Sequence, residues 1–244
     1  MKGLMMLHCG AQETTRDDVE NCPTPDATRS HHPIAHAKLL SATEACLADY
    51  GFQTMTGTYG MTNKGNRFFA LLDLYNGDKD FGLTIGLRNS HDKRFTAGLA
   101  AGSRVFVCDN LCFSGDVVLA RKHTRWINRD LPHLMGRMVG KMGAYFNRQE
   151  AQIELYKDHE LSEDRARWLI VEGMKRGIYG ATQVPKILAE WEDPSHEEFK
   201  DPTMWRYFNA VTEVAKGWST PQIMARTPLL HGICDMEAGF SVSA

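Results

Sequence analysis

The spacing of apolar residues along the chain changes period twice. From Ile34 to Tyr50 the apolar positions recur at helical intervals, and Gly51 supplies a stop. From residue 52 to residue 124 the pattern becomes that of strands separated by short turn signals such as NKGN. The strand segments are FQTMTGTYGMT, RFFALLDLY, FGLTIGLRN, RVFVCDN (preceded by the small-residue segment TAGLAAG) and CFSGDVVLARKHT. Short turns favour an antiparallel meander over a parallel layout.

After Asn128 the pattern is helical to the end of the chain. Apolar residues from Leu131 to Phe146 follow the i, i+3, i+4, i+7 spacing of one buried helix face. Three glycines interrupt this face, at positions 136, 140 and 143, and predict close packing of the helix against the sheet. Shorter helices are predicted at 162–176, 182–191, 203–217 and 221–236.

These elements predict an α+β fold, in which an antiparallel β-meander packs against a long helix and a helical C-terminal part follows. Residues 1–33 contain three prolines and no periodicity, and are predicted to be an irregular lead-in. Residues 34–160 are predicted to form the α+β core. Residues 161–244 are predicted to form a helical C-terminal part packed on that core.

Several observations argue for a reduced, cytoplasmic protein. The apolar patch from Leu4 to Leu7 is too short for a signal peptide, and no segment approaches a membrane span. The six cysteines, at positions 9, 22, 46, 108, 112 and 234, lack the paired spacing of a disulfide framework. We therefore expect free thiols and a cytoplasmic location.

Charge is unevenly distributed. Residues 86–148 contain 11 Lys and Arg against 4 Asp and Glu, which gives +7 in a chain whose net charge is −2. Residues 1–85 carry −3 (7 against 10) and residues 149–244 carry −6 (10 against 16). A basic segment of this kind marks either an anion-facing surface or a solvated face that the acidic flanks neutralise.

The basic segment begins with GLRNSHDKRF, residues 86–95, which places several chemically active groups in succession. His91 and Asp92 are neighbours, so on a strand they point to opposite faces and make a poor catalytic dyad. No G-x-S-x-G, H-E-x-x-H or P-loop motif accompanies them. We predict that Asn89, Ser90 and Asp92 shape a turn through local hydrogen bonds and that Arg88 and His91 are presented from it.

The main candidate set for a metal is formed by Cys108, Cys112, His91 and His123. Its second ligand pair is dispersed, whereas structural zinc sites use two tight pairs, and a buried cysteine at a strand end is commonplace. A weaker candidate set lies near the N-terminus and is assigned instead to the polar lead-in: Cys9, Cys22, His31, His32 and His36. The acids at 109, 116 and 130 match no two-metal pattern. We predict no catalytic residue, no metal and no cofactor.

Phosphate binding has better chemical support. Cationic side chains with neighbouring hydroxyls and amides are typical of contacts to a sugar–phosphate backbone, and an aromatic ring can stack on an unpaired base. The predicted nucleic-acid-binding residues are Arg88, His91, Lys93, Arg94, Arg104, Arg121, Lys122, Arg125 and Trp126.

Several strings resemble a widespread phage- and plasmid-encoded family that carries a domain of unknown function. They are HHPIAHAKLL, KGNRFFALLDL, FGLTIGLRNSHDKRFTAGLAAGSRVFVCDNLCFSG, RKHT, TMWRYFNAVTEVAKG and RTPLLHGICD, within residues 31–236. The resemblance implies a gene of mobile elements that works in a bacterial cytoplasm. Residues after the aspartate of RNSHD are often small in that family, whereas this chain has Lys93 and Arg94.

The predicted fold also resembles that of the single-strand annealing recombinases of phages, which have a helix, an antiparallel meander and a long helix across it. None of their specific motifs occurs in this sequence. The leading hypothesis is a non-enzymatic protein that binds single-stranded DNA or RNA as an annealing, replication or recombination accessory factor. It would be a homo-oligomer by that analogy. The alternative is a modulator that binds a host defence or replication protein through the acidic helical third. A metal-dependent nuclease ranks third.

Overall fold

The computed structural model describes residues 10–62, 64–75, 81–105 and 110–240. Six strands form one antiparallel sheet in which they lie side by side in chain order, as the meander prediction requires. The strands are β1 (Ala11–Thr14), β2 (Thr54–Thr62), β3 (Arg67–Leu74), β4 (Phe81–Ser90), β5 (Ala97–Val105) and β6 (Asn110–Arg121).

The helices confirm the predicted α+β class. They are α1 (Arg16–Glu20), α2 (His36–Asp49), α3 (Ile127–Asp158), α4 (Glu163–Lys175), α5 (Val184–Glu192), α6 (Met204–Ala215) and α7 (Thr220–Ala238). The apolar face predicted for α3 is buried, since Leu131, Met135 and Met142 are at most 2% exposed. None of the described helices is apolar over a length that would cross a bilayer.

The sheet is covered on both sides at β3. Phe68 and Phe69 are adjacent and point to opposite faces, yet they are only 0% and 5% exposed. Phe68 contacts the ring of His36, the first residue of α2, at 5.2 Å between centroids. The uninterrupted apolar run FFALL, residues 68–72, is what burial of a strand on both faces requires.

Three local predictions need correction. The lead-in is not wholly irregular, because β1 pairs with β2 and α1 follows it, begun by a capping box between Thr15 and Asp18. Segment TAGLAAG belongs to β5 from Ala97 onward, and a Cβ on Gly98 would lie 3.2 Å from Nε of Arg88. The glycines at 136 and 140 adjoin the ring of Tyr50 rather than the sheet, and no atom of the described residues lies within 4 Å of the missing Cβ of the glycine at 143.

The chain divides into two compact units. Unit 1 comprises Met1–Ser103 and Asp116–Tyr145, and unit 2 comprises Arg104–Gly115 and Phe146–Ala244. In unit 2 the aromatic rings of α6 form much of the buried interior, with Tyr207 and Phe208 at most 3% exposed. The basic surface and the buried polar cluster considered below lie in unit 1.

Candidate nucleic-acid interface and its histidine network

Asn89, near the end of β4, is the centre of a buried hydrogen-bond network. It is 0% exposed, and its amide nitrogen lies 2.8 Å from the carbonyl of Ile34 and 2.9 Å from Nδ1 of His36. Its amide oxygen lies 2.8 Å from Nε2 of His123. Because the carbonyl of Ile34 can only accept, the nitrogen of Asn89 must face it, and this fixes the orientation of the amide.

That orientation also fixes the ring protons. Nδ1 of His36 accepts from Asn89, so Nε2 of His36 carries the proton and donates to the carbonyl of Gly65 at 2.8 Å. His123 donates from Nε2 to Asn89, and His91 donates from Nε2 to the carbonyl of Ile34 at 2.9 Å. The rings of His36 and His91 stack in parallel, 3.9 Å between centroids and 5° between planes. We call His36, Asn89, His91 and His123 the histidine network.

The rings of the network are held neutral. Burial, reinforced by the nearby ring of His91, lowers the pKa of His36 to about 4. Burial likewise lowers the pKa of His123 to about 4, with His31 and His91 adding to the effect. The pKa of His91 is also lowered by burial. A neutral stack of imidazoles is therefore the state that the fold requires.

The turn that follows β4 is built by a carboxylate. Asp92 accepts from the hydroxyl of Ser90 at 2.6 Å and from Nε of Arg67 at 2.8 Å, and the backbone N–H of Arg94 donates to both Ser90 and Asp92. Burial works against ionisation of Asp92, but these donors outweigh it and hold the pKa below its usual value. Lys93 has a φ of 64°, a left-handed conformation that favours small residues.

The structure separates the residues of RNSHD. Ser90 and Asp92 bond locally within the turn, whereas Asn89 bonds to groups 34 to 55 residues away, so the turn role predicted for Asn89 is wrong. His91 is 6% exposed and its ring donates to the carbonyl of Ile34. The prediction that His91 is presented to a nucleic acid is therefore wrong. The sequence did contain a signal for the burial of Asn89, because it lies within an apolar strand and a buried amide needs hydrogen-bond partners.

His36 was assigned to the polar lead-in and instead lies in the core. His31 is also buried, with its ring 5.1 Å from that of His123. No periodicity distinguishes these histidines from surface residues, because their burial depends on strands 30 to 90 residues later in the chain. The network thus joins the segments HHPIAH, KGN, RNSHD and RKHT, which are distant in sequence.

Within the described residues, Cys22, His36 and His91 place ligand atoms within 4.8 Å of one another. Both ring nitrogens of His36 already make hydrogen bonds, and a metal binds in the plane of an imidazole. Two parallel, stacked rings cannot both direct an in-plane lone pair at one ion, so this arrangement suits a hydrogen-bonded stack and not a metal site. Cys108 and the side chain of Cys112, from the other candidate set, lie outside the described residues.

The surface of unit 1 carries a regular row of cations. Arg125 precedes α3, and Arg129, Arg137 and Lys141 follow in α3 at multiples of four residues, with His133 at the intervening position. All five are exposed. Residues four apart form a continuous ridge on a helix, and Arg129 to Lys141 span roughly 18 Å at 1.5 Å per residue. We call Arg125, Arg129, Arg137 and Lys141 the cation row.

The row is poorly neutralised. Residues 121–141 contain six Lys and Arg and one acid, Asp130, which gives +5. Asp130 forms ion pairs with Arg121 and Arg129. Arg125, Arg137 and Lys141 have no ion pair within the part of the chain that the structure describes. Sequence reasoning missed Arg129, Arg137 and Lys141, although their four-residue spacing within a predicted helix was a readable signal.

Trp126 lies at the start of the row and is 44% exposed. The guanidinium groups of Arg125 and Arg129 lie 4.7 and 4.4 Å from its ring centroid. Such contacts fix an exposed indole beside positive charge. The structure therefore places Arg125, Trp126 and Arg129 together at the start of the row.

The other predicted contact residues are scattered. Lys93, Arg94 and Lys122 are exposed, and Arg121 is engaged by Asp130. Arg88 is half-buried, with its guanidinium 5.6 Å from the ring of Phe95, and burial lowers its pKa. The side chain of Arg104 lies outside the described residues.

Comparison with known proteins gives one match. A family model described as Domain of unknown function (DUF932) matches residues 27–220, which include every segment joined by the histidine network and the whole cation row. Neither the curated proteins nor the solved structures contain a significant match to the chain. Because the matched range is well over half of its length, the chain belongs to the DUF932 family of proteins.

Proposed function

We propose that this protein binds single-stranded nucleic acid, and that the cation row is its contact with the phosphate backbone. The observation that carries the proposal is the row itself: four exposed cations at helical intervals, three of them without an acidic partner in the described chain. Cations without an acidic partner keep their positive charge for a ligand, and one surface ion pair contributes little in water. Several cations along one ridge bind a polyanion together.

Trp126 favours a single strand over a duplex. An exposed indole beside the row can stack on an unpaired base, a contact that a base-paired duplex does not offer along its length. The histidine network supports this surface indirectly, because His123 lies two residues before Arg125 and is hydrogen-bonded to Asn89 of β4.

Salt dependence of binding tests the proposal. Four phosphate contacts predict a slope of roughly −2.8 in a plot of log affinity against log salt for a single strand, at about −0.7 per contact. Removing two contacts with Arg137→Ala and Lys141→Ala should weaken binding to every sequence and reduce the slope to roughly −1.4. Trp126→Ala should weaken binding and leave the slope unchanged. The measurement is fluorescence anisotropy of labelled oligonucleotides from low to physiological salt.

Lys175→Ala with Lys186→Ala is a matched control, since it removes two exposed cations from helices of unit 2. It should change neither the affinity nor the slope. The proposal fails if the wild-type protein binds no DNA or RNA at low salt, or if both double variants weaken binding equally.

Such binding suits an accessory factor in annealing, replication or recombination, acting as a homo-oligomer encoded by a mobile element in a bacterial cytoplasm. These are parts of the proposal, supported by the resemblance to phage and plasmid proteins and by the meander and long helix. No catalytic residue or cofactor is part of it.

The second candidate function is the binding of a protein partner, such as a host defence or replication protein, by unit 2. The observation that favours it is a pair of exposed apolar side chains three residues apart on α4: Trp168 is 42% exposed and Val171 is 44% exposed. Arg165 stacks on Trp168 and pairs with Glu237 of α7, so these contacts hold Trp168 in place. Absence of nucleic-acid binding in the anisotropy experiment would favour this candidate.

A further inference from the structure

A groove lies between β6 and α3, directly beside the cation row. It has a volume of about 420 Å³ and is lined by Val118, Leu119, Ala120, Leu134, Arg137, Met138 and Lys141. That volume falls in the usual range for small-ligand sites, roughly 300–1,000 Å³. The two cations of the lining belong to the row, so the groove and the row form one continuous surface.

The wall that β6 provides is a strand edge to which no further strand pairs in the part of the chain that the structure describes. In the sheet order β6 is the last strand, with β5 as its described neighbour. The carbonyl of Leu119 faces β5, since it lies 3.2 Å from the Cβ position of Gly98. Backbone groups of successive residues alternate between the two edges of a strand, so those of Val118 and Ala120 point outward. Both of these side chains are exposed.

The groove therefore combines three features. Apolar side chains, Leu134 and Met138 among them, offer a surface for a flat ring. Outward N–H and C=O groups of β6 offer hydrogen bonds to the edge of that ring. Arg137 and Lys141 place two positive charges beside it, without ion pairs in the described chain. A nucleotide unit has the matching chemistry, with a planar, hydrogen-bonding base joined to an anionic phosphate.

We propose that this groove receives one unstacked base of the bound strand while Arg137 and Lys141 hold the phosphates on either side of it. This inference rests on the proposed function and adds to it a base-binding site that is distinct from Trp126. It implies that the protein contacts bases without needing a particular sequence, because hydrogen bonds to a strand backbone and apolar contact suit more than one base.

Filling the groove tests the inference without removing a cation. Ala120→Phe places a ring where the base would lie and should weaken binding of a dT oligonucleotide about tenfold, a typical effect of losing one stacked base. The affinity for an abasic oligonucleotide of equal length, which keeps the phosphates, should not change. Gln12→Phe is the matched control, an exposed position on β1 at the opposite edge of the sheet.

Trp126→Ala gives a second measurement that does not depend on whether the Ala120→Phe protein folds. This protein should still prefer the dT oligonucleotide to the abasic one, because the groove still receives a base. Loss of that preference, or an Ala120→Phe protein that binds both oligonucleotides like the wild type, would overturn the groove proposal alone. Failure of the wild-type protein to bind either oligonucleotide would instead refute the proposed function on which it rests.

Discussion

Replacing Asn89 with alanine should lower the free energy of unfolding far more than the same replacement of a surface asparagine. The change removes the acceptor for Nε2 of His123 and the donor for Nδ1 of His36, and both rings stay buried. The carbonyl of Ile34 keeps its bond from His91. A buried polar group left without a partner costs about 1–3 kcal/mol, so two of them predict a loss of about 2–6 kcal/mol in the free energy of unfolding.

Urea unfolding followed by far-UV circular dichroism measures this loss, from the midpoint and slope of the transition. Asn128→Ala is the matched control, since the side-chain oxygen of Asn128 accepts one exposed bond from Lys38 and its loss should cost under about 0.5 kcal/mol. A loss below about 1 kcal/mol for Asn89→Ala would refute the reasoning, because it would mean that the rings do not depend on the amide.

Three further changes test other parts of unit 1. His36 and His123 have folded pKa values of about 4 against 6.5 when unfolded, so the unfolded chain binds more protons between these values. The contribution of these histidines to the free energy of unfolding should be complete above pH 6.5 and should fall toward pH 4, by about 1.4 kcal/mol per pH unit for each histidine. Urea titrations at several pH values measure this slope, and its absence would contradict the prediction. Asp92→Ala should lower the unfolding free energy by about 1–2 kcal/mol through the loss of the turn bonds, as calorimetry can show. Lys93→Gly should raise the melting temperature because it relieves a left-handed lysine, and Lys93→Ala, which keeps the strain and removes the same charge, should not.

Periodicity alone was sufficient for most elements of the fold. The segments 34–50, 67–75, 81–89 and 162–176 coincide with α2, β3, β4 and α4 to within a few residues. These elements are long and strongly patterned, and each pattern reflects burial of a face that is repeated many times. The short elements β1 and α1 were not predicted, because four or five residues contain too few repeats to show a period.

The sequence by itself determined the fold class, the order of the strands and the concentration of positive charge between residues 86 and 148. Tertiary structure alone decided which polar residues are buried. Asn89 and His91 resemble a polar turn in sequence, and only the approach of Ile34, His36 and His123 makes them the core of a network. Likewise, helical geometry arranges the cations of α3 as a ridge, but the groove beside them exists only because β6 lies alongside. Contacts between distant segments leave no periodic trace in the chain, and for that reason the candidate site was less predictable than the fold.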